Sequence, residues 1–188
     1  FVLLSSSAKS FGGTQYRFRS LYCLNLMTIP KILQKDEPVL RRKAAEVPLK
    51  DIGSPEIQKI LKDMTDALAT QDDGVAIAAP QIGISLRIFV ASKAVLDMPD
   101  AIADRTKMTN RKELKQEAGY LTFINPVITK LSKDKTMLDE GCLSVRPLYG
   151  KIKRSKKASV KAYDENGRLF ERGATGLLAQ IFQHEVDH

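Results

Sequence analysis

Hydrophobic residues recur at helical spacing in two segments of the chain. The first covers residues 55–70, where Ser54 is suited to cap a helix and Pro55 to open it. The second runs from Thr175 to His188. Their apolar positions are Ile57, Ile60, Leu61, Met64 and Leu68 in the first and Leu177, Leu178, Ile181, Phe182 and Val186 in the second. This pattern predicts an N-terminal amphipathic helix and a C-terminal helix with one buried face.

The chain between these helices shows the patterning of β-strands. Strands are predicted at residues 86–91 and 121–132. Residues 160–172 are typical of a β-hairpin, because Asn166 and Gly167 suit a tight turn. The sequence therefore predicts an α+β fold, in which small antiparallel sheets pack around the C-terminal helix.

Two segments lack this pattern. Residues 93–119 are charged with little periodicity, which indicates an inserted, mobile excursion. Residues 1–26 are serine-rich and carry three cations and no acid, so a disordered basic leader or a non-native extension is predicted. An organellar transit segment is the alternative for this stretch. The predicted domain is residues 27–188.

The composition is that of a globular protein, with 43 % hydrophobic and 28 % charged residues among 188. Apolar runs fall short of the roughly 20 residues that a membrane helix needs, so no membrane association is expected. Two cysteines, Cys23 and Cys142, are too few for a disulfide framework and favour a reducing compartment. The net charge of +8 allows contact with RNA without demanding it.

The last five residues form the pattern H-E-x-x-H, from His184 to His188. Residues four apart on a helix share one face, so both imidazoles can reach one cation. Glu185 points beside that position, where a carboxylate could take a proton from an activated water. A catalytic site usually has three protein ligands, so a cysteine or another carboxylate is expected as the third.

Cys142, within the stretch EGCLS at 140–144, is the obvious candidate, because small neighbours would let a thiolate approach the metal. The stretch GVAIAAPQ at 74–81 could let a backbone lie close to a ligand. Its Gln81 amide could donate to a developing oxyanion. Taken singly, these features have plainer explanations: a small buried cysteine, tight packing and a surface glutamine. Ligand chemistry alone favours zinc.

In this order, the three segments resemble those of peptide deformylase, which carries G-x-G-x-A-A-x-Q, then E-G-C-x-S, then Q-H-E-x-D-H. The resemblance extends over about residues 27–188. It implies a metal-dependent hydrolase that removes the N-formyl group from the initiator methionine of nascent polypeptides and releases formate. It also implies a native ferrous ion that Zn²⁺, Ni²⁺ or Co²⁺ can replace, and a monomer that acts on N-formylmethionyl peptides.

The resemblance also implies roles for single residues. The metal ligands would be Cys142, His184 and His188. Glu185 would be the general base and then the acid. The Gln81 side chain and the backbone N–H of Leu143 would hold the oxyanion. The implied substrate-binding residues are Val75, Ala76, Leu138, Gly141, Leu177 and Ile181. For the last two, a plain core position is an equal alternative.

Some features depart from the family pattern. Ala76 stands where the family motif has its second glycine, and Tyr149 stands where the family has an arginine. Both differences are expected to affect the fit of the substrate rather than metal binding. The chain stops at the second histidine, where the family continues, so a truncated C-terminus is expected. The missing element weakens the expectation of ribosome contact. The expected compartment is a bacterial-type cytoplasm, or a mitochondrion or plastid if residues 1–26 are a transit peptide.

Two rival functions remain open at this stage. One is another H-E-x-x-H metallopeptidase, which would not need a formyl group. The other is an RNA- or ribosome-binding module without catalysis, suggested by five cations in residues 151–157. A solvated strand and loop is the favoured explanation of that run.

Overall fold

The computed structural model describes residues 29–96 and 119–188. The predicted leader, residues 1–26, and residues 97–118 of the predicted excursion lie outside this part of the chain. The described residues form two α-helices, α1 (Pro55–Ala69) and α2 (Gly176–Asp187). They also form seven strands: β1 (Ala76–Ala78), β2 (Ile88–Ser92), β3 (Tyr120–Leu131), β4 (Lys135–Gly141), β5 (Tyr149–Ser155), β6 (Lys157–Tyr163) and β7 (Leu169–Thr175). Neither helix is long and apolar enough to cross a membrane.

All strand pairs are antiparallel. Five strands form one sheet in the order β1-β2-β3-β6-β7, and β4 pairs with β5 in a separate two-stranded sheet. The predicted hairpin is present as β6 and β7, and Gly167 in its turn has a φ of 75°, a conformation that favours glycine. The predicted α+β class with antiparallel sheets is therefore confirmed.

Helix α1 covers one face of the five-stranded sheet. It begins as the sequence predicts, because the Ser54 hydroxyl accepts a hydrogen bond from the Ile57 backbone N–H at 3.3 Å. Its buried side chains pack with Ile77 and Val90 of the sheet. They are Ile57, Leu61, Met64, Ala67 and Leu68. Burying a large apolar side chain contributes about 1.5–3 kcal/mol, so this face fixes α1 on the sheet.

Helix α2 covers the opposite face. Phe89 neighbours Val90 on β2 but points the other way, as successive strand residues do. Its ring stacks on Phe123 at 4.4 Å between centroids, and the ring of Phe182 on α2 lies 5.3 Å from that of Phe123. This aromatic cluster fixes one side of α2 against the sheet. Another side, with His184, meets the sheet of β4 and β5.

Candidate metal and active site

Cys142, His184 and His188 lie together at the end of α2. Cys142 follows the last residue of β4, and the ligand atoms of the three side chains are all within 4.8 Å of one another. The Cys142 Sγ atom lies 3.3 Å from Nε2 of His188, and the two imidazole centroids are 5.3 Å apart. The structure thus brings together the three predicted ligands from two separate parts of the chain.

This cluster suits a divalent metal ion. One thiolate and two imidazoles form a donor set typical of zinc and related first-row ions. Such ions bind at about 2.0–2.3 Å, which places tetrahedral donor atoms about 3.3–3.8 Å from one another. The Cys142–His188 separation of 3.3 Å agrees with that spacing. Three protein donors leave a fourth position open, as in catalytic sites.

The thiol of Cys142 is acidic in this environment. Burial raises the pKa of the thiol, but hydrogen bonds with His184 and His188 outweigh burial and lower it to about 6. For His184, burial lowers the pKa, while hydrogen bonds with Cys142 and Glu140 raise it to about 10. These shifts favour a thiolate beside imidazolium in the metal-free cluster, so a metal ion would compete with protons for the ring nitrogens.

Glu140 orients the first histidine. Its Oε2 lies 3.1 Å from Nδ1 of His184. Burial raises the pKa of this carboxyl, but hydrogen bonds with His184 and Arg154 lower it to about 2. An ionised carboxylate can only accept hydrogen bonds, so Nδ1 of His184 must be the donor. Nε2 of His184 then remains available to bind a metal ion.

Arg154 supports Glu140 and the end of α2 together. Its Nε and Nη2 donate to Oε1 and Oε2 of Glu140 at 2.8 and 3.0 Å, and its Nη1 donates to Oδ2 of Asp187 at 2.7 Å. The Arg154 side chain is only 14 % exposed. The prediction that residues 151–157 are solvated is wrong for Arg154, although Lys151 and Lys153 are exposed. The available signal was strand alternation, which places Arg154 on the face opposite Lys153.

Glu185 is buried beside the cluster. It is 8 % exposed, and its Oε2 has no hydrogen-bond partner among the residues that the structure describes. Burial raises the pKa of its carboxyl, and the charges of Cys142 and Glu140 raise it further, whereas the two histidines lower it. A buried carboxylate with a raised pKa and a free oxygen is suited to accept a proton.

Gln81 aims an amide at the cluster. It lies in the 3₁₀ turn Ala79–Ile82 after β1, and it is only 2 % exposed rather than on the surface. Its Oε1 accepts from the Ala78 backbone N–H at 2.8 Å, which fixes the amide. Its Nε2 donates to Oγ of Ser144 at 3.1 Å and lies 3.4 Å from Sγ of Cys142. The donor therefore faces the metal cluster; the role of the Leu143 N–H stays a prediction.

The predicted substrate residues lie in different environments. Ile181 is 4 % exposed within the core of α2, and Leu177 is half-buried against that core. Val75 and Leu138 are also half-buried. A small cleft opens beside the end of α2, lined by Glu185 and His188 among others, but none of these four side chains lines it. The methionine pocket therefore stays a prediction.

The two departures from the family pattern have clear positions. Ala76 is 7 % exposed and its methyl group packs in the core on the α2 side of the sheet. The ring of Tyr149 packs directly on Gly141, where an added Cβ would overlap it. The Tyr149 hydroxyl lies 3.4 Å from Oδ2 of Asp73, which also pairs with Arg146. Tyr149 thus links the end of β4 to the loop before β1.

The fold and this cluster define a class: α+β proteins with a candidate site for one metal ion, made of one thiolate and two imidazoles. Comparison with known families makes the class specific, since residues 29–188 match the family model described as polypeptide deformylase. The chain belongs to the peptide deformylase family.

Individual relatives agree with this assignment. A chloroplastic peptide deformylase 1A of Solanum lycopersicum is 36 % identical over 85 % of this chain, which spans 56 % of that protein's length. A peptide deformylase of Clostridium acetobutylicum is 34 % identical over 86 % of this chain and 90 % of its own length. A crystal structure of an Acinetobacter baumannii peptide deformylase with Met-Ala-Ser bound superposes with a TM-score of 0.70 at 27 % identity, covering 86 % of this chain and 92 % of that one.

Proposed function

We propose that this chain hydrolyses the N-formyl group from the N-terminal methionine of new polypeptides, with release of formate. The observation that carries the proposal is the buried Oε2 of Glu185, which lies beside the cluster of Cys142, His184 and His188 and has no hydrogen-bond partner in the described part of the chain. This arrangement supplies a base next to a metal site with one open position. The Met-Ala-Ser peptide bound to the Acinetobacter relative supports a methionine-first substrate.

Sγ of Cys142 and the Nε2 atoms of His184 and His188 would hold the ion. A bound divalent ion supplies Lewis acidity, which makes a water more acidic and polarises a carbonyl group. We propose Fe²⁺ as the native ion, replaceable by Zn²⁺, Ni²⁺ or Co²⁺, since all four accept a thiolate and two imidazoles.

The protein's own groups then account for the proton transfers. Glu185 takes a proton from the attacking water as its oxygen bonds to the formyl carbon. Negative charge develops on the formyl oxygen, where the Gln81 Nε2–H and the Leu143 backbone N–H donate to it. The C–N bond then breaks, and Glu185 returns its proton to the departing amine. Water is consumed, and formate and the free N-terminus are produced.

We propose that the substrate backbone lies as an added strand against Val75 and Ala76 and near Gly141, with its first side chain beside Leu138 and Leu177. The relatives include a plant chloroplast protein and a bacterial protein. A plastid and a bacterial-type cytoplasm are therefore both compatible with this chain. Ribosome association and a monomeric state stay predictions. The assignment of residues 27–188 as the catalytic domain is also a prediction.

The test is formate release. The purified chain, loaded with Ni²⁺ or Fe²⁺ without oxygen, would be given a formyl-Met-Ala-Ser peptide, and the same assay run on Glu185→Gln. We expect release by the parent and a loss of at least about 100-fold in the variant, since a general base contributes about 10²–10⁴-fold. Glu171→Gln makes the same change at an exposed position of β7, and its rate of formate release should equal that of the parent.

Two results would count against the proposal. Turnover of an unformylated peptide at an internal bond would indicate another type of metallopeptidase. A metal-loaded parent that releases no formate, although one ion is bound per chain, would show that this donor cluster does not carry the activity.

A further inference from the structure

Two neighbouring residues near the start of the described chain contact both of the proposed oxyanion donors. Leu33 donates its backbone N–H to the Gln81 carbonyl at 2.8 Å. The next residue, Gln34, donates its side-chain Nε2 to the Leu143 carbonyl at 3.2 Å, across 109 residues of sequence. The proposed mechanism uses Gln81 and Leu143, but it gives Leu33 and Gln34 no role.

The neighbours of the Gln34 amide fix its orientation. Its Nε2 faces two carbonyl oxygens, that of Leu143 at 3.2 Å and that of Ile32 at 3.4 Å. A flipped amide would place Oε1 against both of these acceptors, which is unfavourable, so the NH₂ group must point at them. Because Gln34 is exposed, water competes for the same carbonyl, and the net contribution of the contact is modest.

The Leu143 backbone is held on both sides of its Cα atom. On one side, the Cys142 carbonyl accepts a hydrogen bond from the Val145 N–H at 3.0 Å. The N–H and C=O groups of a planar trans peptide unit point in opposite directions, so the Leu143 N–H points away from Val145. This N–H has no hydrogen-bond partner among the described residues. On the other side, the Leu143 carbonyl is held by Gln34.

We propose that Gln34 is a positioning residue, which holds the Leu143 backbone so that its N–H stays directed at the developing oxyanion. This inference rests on the proposed function. Leu33 holds Gln81 from the same piece of chain, so the two donors keep a fixed spacing. Donors that are already oriented need no rearrangement when charge develops on the formyl oxygen. Loss of the Gln34 amide should therefore appear in kcat rather than in substrate binding.

The test compares variants of two exposed glutamines. Gln34→Met removes the donor and keeps the length of the side chain, whereas Gln34→Lys keeps an N–H donor. Gln58→Met is the matched control, because Gln58 Nε2 donates to the Ile52 and Glu165 carbonyls at 3.3 and 2.9 Å, from α1 to the β6–β7 turn. For each metal-loaded protein, kcat and KM for formyl-Met-Ala-Ser and the metal content are measured.

We expect Gln34→Met to lower kcat by about 3–10-fold at full metal content, with KM within about twofold of the parent. This is the range that one neutral hydrogen bond contributes. Gln34→Lys should recover most of the lost kcat, because its ammonium group can still donate to a carbonyl. Gln58→Met loses an equivalent contact, and its kcat should equal that of the parent.

A second measurement does not depend on turnover. Amide hydrogen exchange of the Val145 N–H in the Zn²⁺-loaded protein reports how often the turn from Cys142 to Val145 opens. We expect the exchange rate to rise by about 3–10-fold in Gln34→Met, since one net hydrogen bond is lost, and to stay unchanged in Gln58→Met.

Four results would overturn the inference. Equal kcat values in the parent and Gln34→Met would do so and leave the proposed function intact. An equal loss in Gln34→Met and Gln58→Met would indicate general destabilisation instead. A loss of kcat that follows a loss of bound metal would mean that Gln34 supports the metal site. A metal-loaded parent that releases no formate overturns the proposed function and the inference with it.

Discussion

Oε2 of Glu140 lies 3.1 Å from Nδ1 of His184, so a carboxylate that stands two residues before Cys142 sets the orientation of the His184 imidazole. Glu140 is itself held by Arg154, whose guanidinium also reaches Asp187, the residue before His188. The positions of both histidines are therefore connected to a single arginine on β5. Such supporting contacts govern how well a metal site is formed before the ion arrives.

The first prediction concerns Arg154. Replacement by Met leaves the buried Glu140 carboxylate without its main partner and releases Asp187. We expect Arg154→Met to weaken metal binding by about 10–100-fold, measured by competition with a chelator. The metal-free protein should also lose unfolding free energy, because the buried Glu140 carboxylate then keeps only His184 and Gln180 as partners among the described residues.

Lys153→Met is the matched control, because Lys153 neighbours Arg154 on β5 but is exposed. Its metal affinity should equal that of the parent. If both variants bound metal equally well, the link between Arg154 and the metal site would be disproved.

Sequence patterns predicted those parts of the molecule that depend on neighbouring residues. Helical spacing predicted α1 and α2, and the H-E-x-x-H spacing predicted that His184 and His188 share a face. The position of Cys142 beside them was suggested by a motif and confirmed as a cluster of donor atoms. In each case a local rule, or a resemblance spanning most of the chain, carried the prediction.

The supporting contacts were missed because they join distant parts of the chain. Glu140 and His184 are 44 residues apart, and Arg154 sits in a lysine-rich run whose composition is typical of a solvated surface. Gln180 looks like an ordinary polar residue of a helix until β4 is packed against it. Which surface charge becomes buried depends on how the sheet of β4 and β5 packs on α2, and hydrophobic periodicity does not encode that packing.

The second prediction concerns acid stability through Glu140. The pKa of this carboxyl is about 2 in the folded protein against an ordinary value of 4.5. Between these values the unfolded chain binds a proton that the folded chain does not, so stability rises with pH. The contribution of Glu140 to the unfolding free energy is fully present above the ordinary pKa of 4.5 and is lost as the pH falls towards 2.

Urea unfolding of the metal-free proteins at several pH values between about 5 and about 3 measures this effect. Glu140→Gln should show a shallower decline in unfolding free energy with acid than the parent. Glu171→Gln, at an exposed position, should follow the parent. Parallel curves for the parent and Glu140→Gln would contradict the prediction.

The third prediction concerns Gln81. Gln81→Met removes the amide that faces the cluster, so kcat for formate release should fall by about 10²–10³-fold, as when an oxyanion donor is lost. Ser144→Ala removes only the hydroxyl that accepts from Nε2, and its effect on kcat should be smaller. Metal content is measured for both variants. An equal loss in the two, at full metal content, would mean that Gln81 acts by supporting the 140–144 stretch.

The last prediction concerns the contact between Gly141 and Tyr149. A methyl group at position 141 would overlap the Tyr149 ring, which must then move away from Asp73. Tyr149 is 55 % exposed and can swing into solvent, so we expect Gly141→Ala to cost no more than about 1 kcal/mol of unfolding free energy.

A double-mutant cycle with Tyr149→Ala separates this contact from other effects. Without the ring, Gly141→Ala has nothing to displace, so its cost should largely disappear in the Tyr149→Ala background. The two single changes should therefore be clearly non-additive. Additive costs would place the strain at Gly141 in the backbone of β4 rather than against Tyr149. In that case the link from β4 through Tyr149 to Asp73 would not depend on a glycine at position 141.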